Sequence, residues 1–155
     1  MATGMDPVSI FVYGTLKPGE ANYDRYCKGR VISETPAIAP GYLYALPAGY
    51  PAVVAIDRVS ELRAEHMTLP LKPMVQGYRL QFRDSGCLRL LDELEDYSPK
   101  RSPHENEYYR CSTLLFTPNH QALGKAWIYL MEPRRVRGMA GRLVQGPWTG
   151  RSAYF

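Results

Sequence analysis

The sequence predicts an α+β fold, a small mixed β-barrel or roll of about five to seven strands with two flanking helices. Short β-branched and aromatic runs recur between Gly/Pro turns, one later stretch has a clear helical period, and strands and helices do not alternate as a βαβ fold requires. A length of 155 residues suits one domain over 1–155, able to bury a core without disulfide or metal staples.

The first strand is Ser9-Ile10-Phe11-Val12-Tyr13, stopped by Gly14. After the loop Lys17-Pro18-Gly19, residues Glu20 to Lys28 form a short helix closed by Gly29. Strands follow over about Arg30–Ala39, Gly41–Leu46 and Ala52–Ile56, the last after the turn Ala48-Gly49-Tyr50-Pro51. The polar, proline-bounded stretch from Asp57 to Pro73 reads as a loop with at most a turn of helix. Val75 to Phe82 alternates as a strand does. The clearest helix runs from about Ser85 to Tyr97, capped by Asp84 or Ser85. A polar loop over Ser98–Asn106 leads to strands at Tyr108–Thr117 and Ala122–Leu130, joined by the turn Pro118-Asn119-His120. Beyond Pro133 the tail is Gly- and Arg-rich and shows no firm period.

Composition excludes several function classes. Cys27, Cys87 and Cys111 are far apart and odd in number, so neither a zinc site nor a disulfide framework is expected, and free thiols suit a reducing, cytoplasmic setting. Residues 1–7 lack the basic region and apolar run of a signal peptide. The uncharged stretch Thr35–Ile56 is broken by Pro36, Pro40, Pro47 and Pro51, so it is not one membrane helix, and no membrane partner is expected. The net charge of +4 collects late, at Lys125, Arg134, Arg135, Arg137, Arg142 and Arg151 with Glu132 among them. That pattern reads as a solvated basic surface, and without aromatics interleaved in a nucleic-acid motif no nucleic-acid partner is expected. His66, His104 and His120 lie in polar loops beside no nucleophile and read as surface residues.

Two features carry candidate chemistry. On a helix, Leu88, Leu91 and Leu94 share one side, with Leu90 at its edge, while Glu93 and Asp96 fall opposite. Glu95 lies seven residues after Leu88 and four after Leu91, so its carboxyl points along the apolar stripe; Asp92 is one step off it. A carboxyl held there loses water, its pKa rises, and it becomes suited to general acid/base work near neutral pH. The competing expectation is a salt bridge to an arginine from the last helical turn. The loop Tyr13-Gly14-Thr15-Leu16 is the second feature, since glycine lets successive N–H groups turn inward and cradle a carboxylate.

Together these segments resemble the γ-glutamylcyclotransferase-like family, in its AIG2-like and γ-glutamylamine cyclotransferase branch. The resemblance rests on Phe11-Val12-Tyr13-Gly14-Thr15-Leu16-Lys17-Pro18-Gly19 with Asn22, Gly41-Tyr42-Leu43-Tyr44, Tyr50-Pro51-Ala52, Leu91-Asp92-Glu93-Leu94-Glu95, Tyr108-Tyr109-Arg110, Ala126-Trp127-Ile128-Tyr129 and Gly146-Pro147-Trp148. It spans a core of about 8–148. Asp96 stands where glycine is frequent in the family, and the loop Ser98–Asn106 is long.

The resemblance implies release of 5-oxoproline and a free amine from a small γ-glutamyl substrate, with no cofactor and no metal. It further implies that Glu95 is the general acid/base, that amides of Gly14, Thr15 and Leu16 after Tyr13 hold the substrate's α-carboxylate, and that Tyr109 and Tyr129 wall the pocket. A non-catalytic member of the same fold, binding a small acid or a partner protein, is the alternative.

Overall fold

Ile10 and Val12 alternate with Phe11 and Tyr13, all apolar, so the first strand needs burial on both faces. The topology supplies it. In the computed structural model, which describes residues 7–58 and 73–150, β1 (Val8–Val12) enters a closed barrel with β5 (Met74–Phe82), β2 (Val31–Pro40), β6 (Tyr109–Phe116) and β7 (Ala122–Leu130), hydrogen-bonded in that order. The pairings are antiparallel except for β1 against β7, where Ile10 sits opposite Trp127 and closes the barrel. Ile10 and Val12 pack with Leu80, Phe82 and Leu91, while Phe11 and Tyr13 join Ala39, Val75, Leu115 and Ile128.

A second sheet, in the order β4-β3-β8, is built from β4 (Pro51–Val54), β3 (Tyr42–Ala45) and the two-residue β8 (Arg142–Leu143). Every residue of β3 and β4 is buried, which explains the uncharged, proline-broken stretch seen in the sequence. Among the described residues no helix is long and apolar enough to cross a membrane.

The helices depart from expectation in instructive ways. The helix expected over 20–28 is a single turn, α1 (Tyr23–Tyr26). Ahead of it the backbone makes i→i+3 turns, Lys17 N–H to Gly14 O and Glu20 N–H to Lys17 O, and Gly19 sits at φ 88°, so no helical hydrogen-bond ladder starts before Tyr23. Helix α2 (Gly86–Leu94) starts where Asp84 Oδ1 accepts from Gly86 N–H at 2.9 Å, and it ends three residues before Tyr97. Asp96 at φ 53° stops it. That left-handed position after a helix is the one glycine fills best. A third helix, α3 (Pro133–Gly138), and β8 lie in the tail that showed no period. Pro133 opens α3 at its first turn, and Val136 anchors it in the core.

Of the loop expected over 57–73, residues 59–72 lie outside the described residues, as do His66 and Arg151. His104 and His120 are exposed, as expected.

Candidate active site

Strand β1 ends at the rim of a cavity of about 280 Å³, and the residues that follow it form one wall. Tyr13, Gly14, Thr15 and Leu16 line this wall, with Pro51 and Tyr50 beside them and Asn22 behind. Leu94 and Glu95, at the end of α2, form the facing side with Tyr108 and Tyr129. Six of the seven residues singled out in the sequence therefore border a single cavity. Tyr109 does not. Side chains alternate along a strand, so Tyr108 turns into the cavity and Tyr109 packs beside Cys111 against the other core cluster.

The loop's geometry follows from its backbone. Gly14 O accepts from Lys17 N–H at 3.0 Å and Thr15 O from Asn22 N–H at 2.8 Å, which curls the chain. Among the described residues no protein acceptor takes the N–H groups of Gly14, Thr15 or Leu16. Unpaired successive amides at a cavity wall suit an anion. Asn22 Nδ2 donates to Thr15 Oγ1 at 2.9 Å, leaving the Thr15 hydroxyl hydrogen free to donate elsewhere. Gly14 is required by close approach rather than by backbone angle: its φ is not positive, and a Cβ there would lie 2.6 Å from Pro51 Cγ. A second glycine does similar work below the loop, where a Cβ on Gly77 would lie 2.2 Å from the Val12 carbonyl oxygen.

A β-branched residue at Gly14 must push the Pro51 ring away, and Pro51 O is the acceptor for Tyr108 Oη at 2.6 Å. Gly14→Val is expected to lower stability by about 1–3 kcal/mol and to weaken ligand binding at least tenfold, measured by thermal unfolding and titration calorimetry. Normal binding by Gly14→Val would show that this wall is not part of the site.

Glu95 sits just past the last turn of α2, its N–H bonded to Leu91 O at 2.9 Å and its carbonyl accepting from Tyr108 N–H at 3.3 Å. The residue is thus pinned at both ends. Among the described residues no arginine or lysine pairs with its carboxyl. Desolvation, and then the neighbouring charge of Glu107, raise its pKa from 4.5 to about 8. Glu93 and Asp96 are exposed, on the solvent side of the helix.

Sequence reasoning missed the residues that support this site. Asp92 Oδ1 accepts from Arg110 Nε at 2.9 Å and from Tyr129 Oη at 2.6 Å, while Arg110 Nη2 reaches Asp92 Oδ2 at 3.2 Å. Arg110 also stacks over Trp127, 4.7 Å from the ring centroid. This network ties α2 to β6 and β7 and fixes the Tyr129 ring. Tyr13 Oη donates to Tyr129 O at 2.6 Å, so two of the four cavity tyrosines are linked. On the outer side Tyr50 Oη donates to Glu107 Oε1 at 2.7 Å, placing a second carboxylate at the cavity wall. The available signals were Asp92 lying one turn before Glu95, and the strand period that pairs Tyr108 with Arg110.

No reactive thiol accompanies the cavity. Burial pushes Cys27 up to about 12 and Cys87 up to about 11, so both are inert thiols at neutral pH. Among the described residues no group of three or more His, Cys, Asp or Glu side chains is placed to hold a metal ion.

The family profile described as "Gamma-glutamyl cyclotransferase, AIG2-like" matches residues 10–150, which include both walls of the cavity. The chain belongs to that family. Solved structures of similar fold include YkqA of Bacillus subtilis, 22% identical at TM-score 0.52 over 81% of this chain, which spans 36% of the YkqA chain. The Arabidopsis thaliana protein At5g39720.1 is 19% identical at TM-score 0.58, with 97% of this chain and 82% of that one covered. A yeast γ-glutamyl cyclotransferase specific to glutathione is 10% identical at TM-score 0.56, with 82% of this chain and 69% of that one covered. At these identities the likeness is one of fold. No curated protein matches the chain significantly.

Proposed function

We propose that this family member is an active γ-glutamylcyclotransferase, releasing 5-oxoproline and a free amine from a γ-glutamyl amide. The observation that carries the reading is a desolvated Glu95 carboxyl across a small cavity from three amides, none of them paired among the described residues.

The substrate supplies its own nucleophile. Its α-carboxylate rests on the N–H groups of Gly14, Thr15 and Leu16, which directs the α-ammonium toward Glu95. Glu95 takes one ammonium proton, and the freed amine attacks the γ-carbonyl carbon to close a five-membered ring. The protonated Glu95 then gives that proton to the departing nitrogen as the C–N bond breaks, and takes the second proton that the new ring nitrogen sheds, which leaves with the released amine as its ammonium. Holding the chain folded for ring closure contributes about 7–11 kcal/mol at best. Tyr129 and Tyr108 wall the ring as it closes.

The pH dependence follows from the Glu95 pKa near 8. The free enzyme must hold Glu95 ionised, so kcat/KM rises with pH through about 8 and levels only above it. At higher pH it falls again, since the departing nitrogen needs the proton brought in by the substrate's ammonium. A flat profile from pH 6 to 9 would contradict Glu95 as the base.

The defining experiment is a panel of γ-glutamyl amides and γ-glutamyl amino acids, with 5-oxoproline and free amine quantified together. Equimolar release of both is expected, unchanged after exhaustive chelation. Tight binding of panel members without turnover would instead favour a binding protein of the same fold.

A further inference from the structure

The Glu95 cavity is walled by two carboxyl groups, and the chemistry above uses one of them. Glu107 is the other. Main-chain bonds bring the two residues together: Tyr108 N–H donates to Glu95 O at 3.3 Å, and Glu107 N–H donates to Asp96 O at 3.2 Å. Residues 95–96 and 107–108 therefore run side by side as a two-rung ladder, although the loop Ser98–Asn106 separates them in sequence. The side chain is fixed as well, since the Tyr50 hydroxyl donates to Glu107 Oε1 at 2.7 Å. That bond sets where the Glu107 charge sits on the cavity wall.

Little else at the cavity offsets this charge. Among the described residues no arginine or lysine lines it. The phenols that line it with Glu95 are Tyr13 just after β1, Tyr50 from the β3–β4 turn, Tyr108 ahead of β6 and Tyr129 on β7. Burial raises all four above the usual phenol value, Tyr50 to about 12, so they stay neutral through the working range. Asp92, one turn back on α2, is closed off by Arg110 and Tyr129. Arg135 of α3 is felt at Tyr50. Glu107 thus acts on Glu95 in one direction. It disfavours the ionised carboxyl, adding to the effect of desolvation.

That direction suits the reaction. An ordinary carboxylate is a weak base toward an α-ammonium, whose own value is about 8. Bringing the base up to the acid it must deprotonate makes the proton transfer nearly even. We infer that Glu107 is a positioning residue for the base: its carboxylate, held beside Glu95 by the Tyr50 hydroxyl and the two main-chain bonds, makes Glu95 hold a proton tightly enough to take one from the substrate's α-ammonium. The inference rests on the cyclotransferase reading and adds to it the residue that sets the strength of its base.

The test is Glu107→Gln, which keeps the size of the side chain and an oxygen for the Tyr50 hydroxyl. In the unliganded protein, a ¹³C NMR titration should show the midpoint of the Glu95 carboxyl moved to lower pH in this variant. Glu93→Gln, changed on the exposed side of α2, should leave that midpoint in place. In turnover of γ-glutamylmethylamide, Glu107→Gln should raise the ratio of kcat/KM at pH 6 to that at pH 8.5 by roughly two- to tenfold, because more Glu95 is ionised at the lower pH. At the same time kcat at pH 8.5 should fall several-fold, because the base is weaker. A merely structural role would lower the rate alike at both pH values and leave the ratio unchanged, which would overturn the inference. An unmoved Glu95 midpoint, or one that Glu93→Gln moves as far, would also overturn it and leave the cyclotransferase reading standing. A moved midpoint in a protein that releases 5-oxoproline from no γ-glutamyl amide would overturn that reading, and the role of Glu107 with it.

Discussion

Glu95→Gln is expected to lower kcat by roughly 10²–10⁴-fold while leaving the protein as stable as before or more so. Glutamine keeps the size and hydrogen-bonding reach of the side chain and removes only its ability to hold and pass a proton. The stability half of the expectation comes from the raised pKa. The folded state keeps a proton on Glu95 up to about pH 8, whereas the unfolded chain releases it near 4.5. Stability from this group is therefore fullest below the unfolded value, falls as pH rises through that window, and levels off above about 8. The fall is on the order of 4 kcal/mol. Glutamine has no such window, so Glu95→Gln should unfold at a higher temperature than the parent at pH 9. Glu93→Gln, changed on the exposed side of α2, should match the parent in both rate and melting temperature. If instead Glu95→Gln melted lower and kept its kcat, the residue would be structural.

The second large effect is expected at Asp92. Its carboxylate takes three bonds, two from Arg110 and one from the Tyr129 hydroxyl, with the Asp92 and Arg110 side chains each 18% exposed. Asp92→Ala leaves a largely desolvated guanidinium and a buried phenol without their acceptor. Removing one partner of such a pair costs about 2–3 kcal/mol at this degree of burial. For a chain of this size that lowers the melting temperature by about 5–10 °C. Tyr129→Phe removes only one of the three bonds and should cost about 1 kcal/mol. Because Tyr129 walls the Glu95 cavity, Asp92→Ala should also raise KM, measurable at a temperature where the variant is fully folded. A change under about 0.5 kcal/mol would mean that the network does not hold α2 against the barrel.

Which parts of this were legible in the sequence follows from how local each signal is. Period alone placed β5 and the apolar stripe of α2, because Leu88, Leu91 and Leu94 repeat as a buried helix face must. It also marked Glu95, since a carboxylate on that stripe breaks the pattern. Helix α3 and β8 escaped because six and two residues are too few to show a period, although Pro133 followed by Val136 marked a helix start and its anchor. The extent of α1 was misread because a Pro-Gly loop directs the chain into turns before a helix can nucleate. Tyr109 was placed in the pocket wall through a resemblance that does not fix strand phase. One residue of phase exchanges it for Tyr108. The Asp92–Arg110–Tyr129 network and the Tyr50–Glu107 pair join residues 18 to 57 positions apart, and no local pattern announces such contacts.

The central claim, that Glu95 serves an intramolecular cyclisation, is tested most directly by the product formed in H₂¹⁸O. A cyclotransferase uses the substrate's own nitrogen as nucleophile, so the expected product is 5-oxoproline carrying no solvent oxygen, with one amine released per ring closed. A hydrolase built on the same carboxylate would activate water instead. Glutamate labelled with ¹⁸O in its γ-carboxyl group would contradict the account.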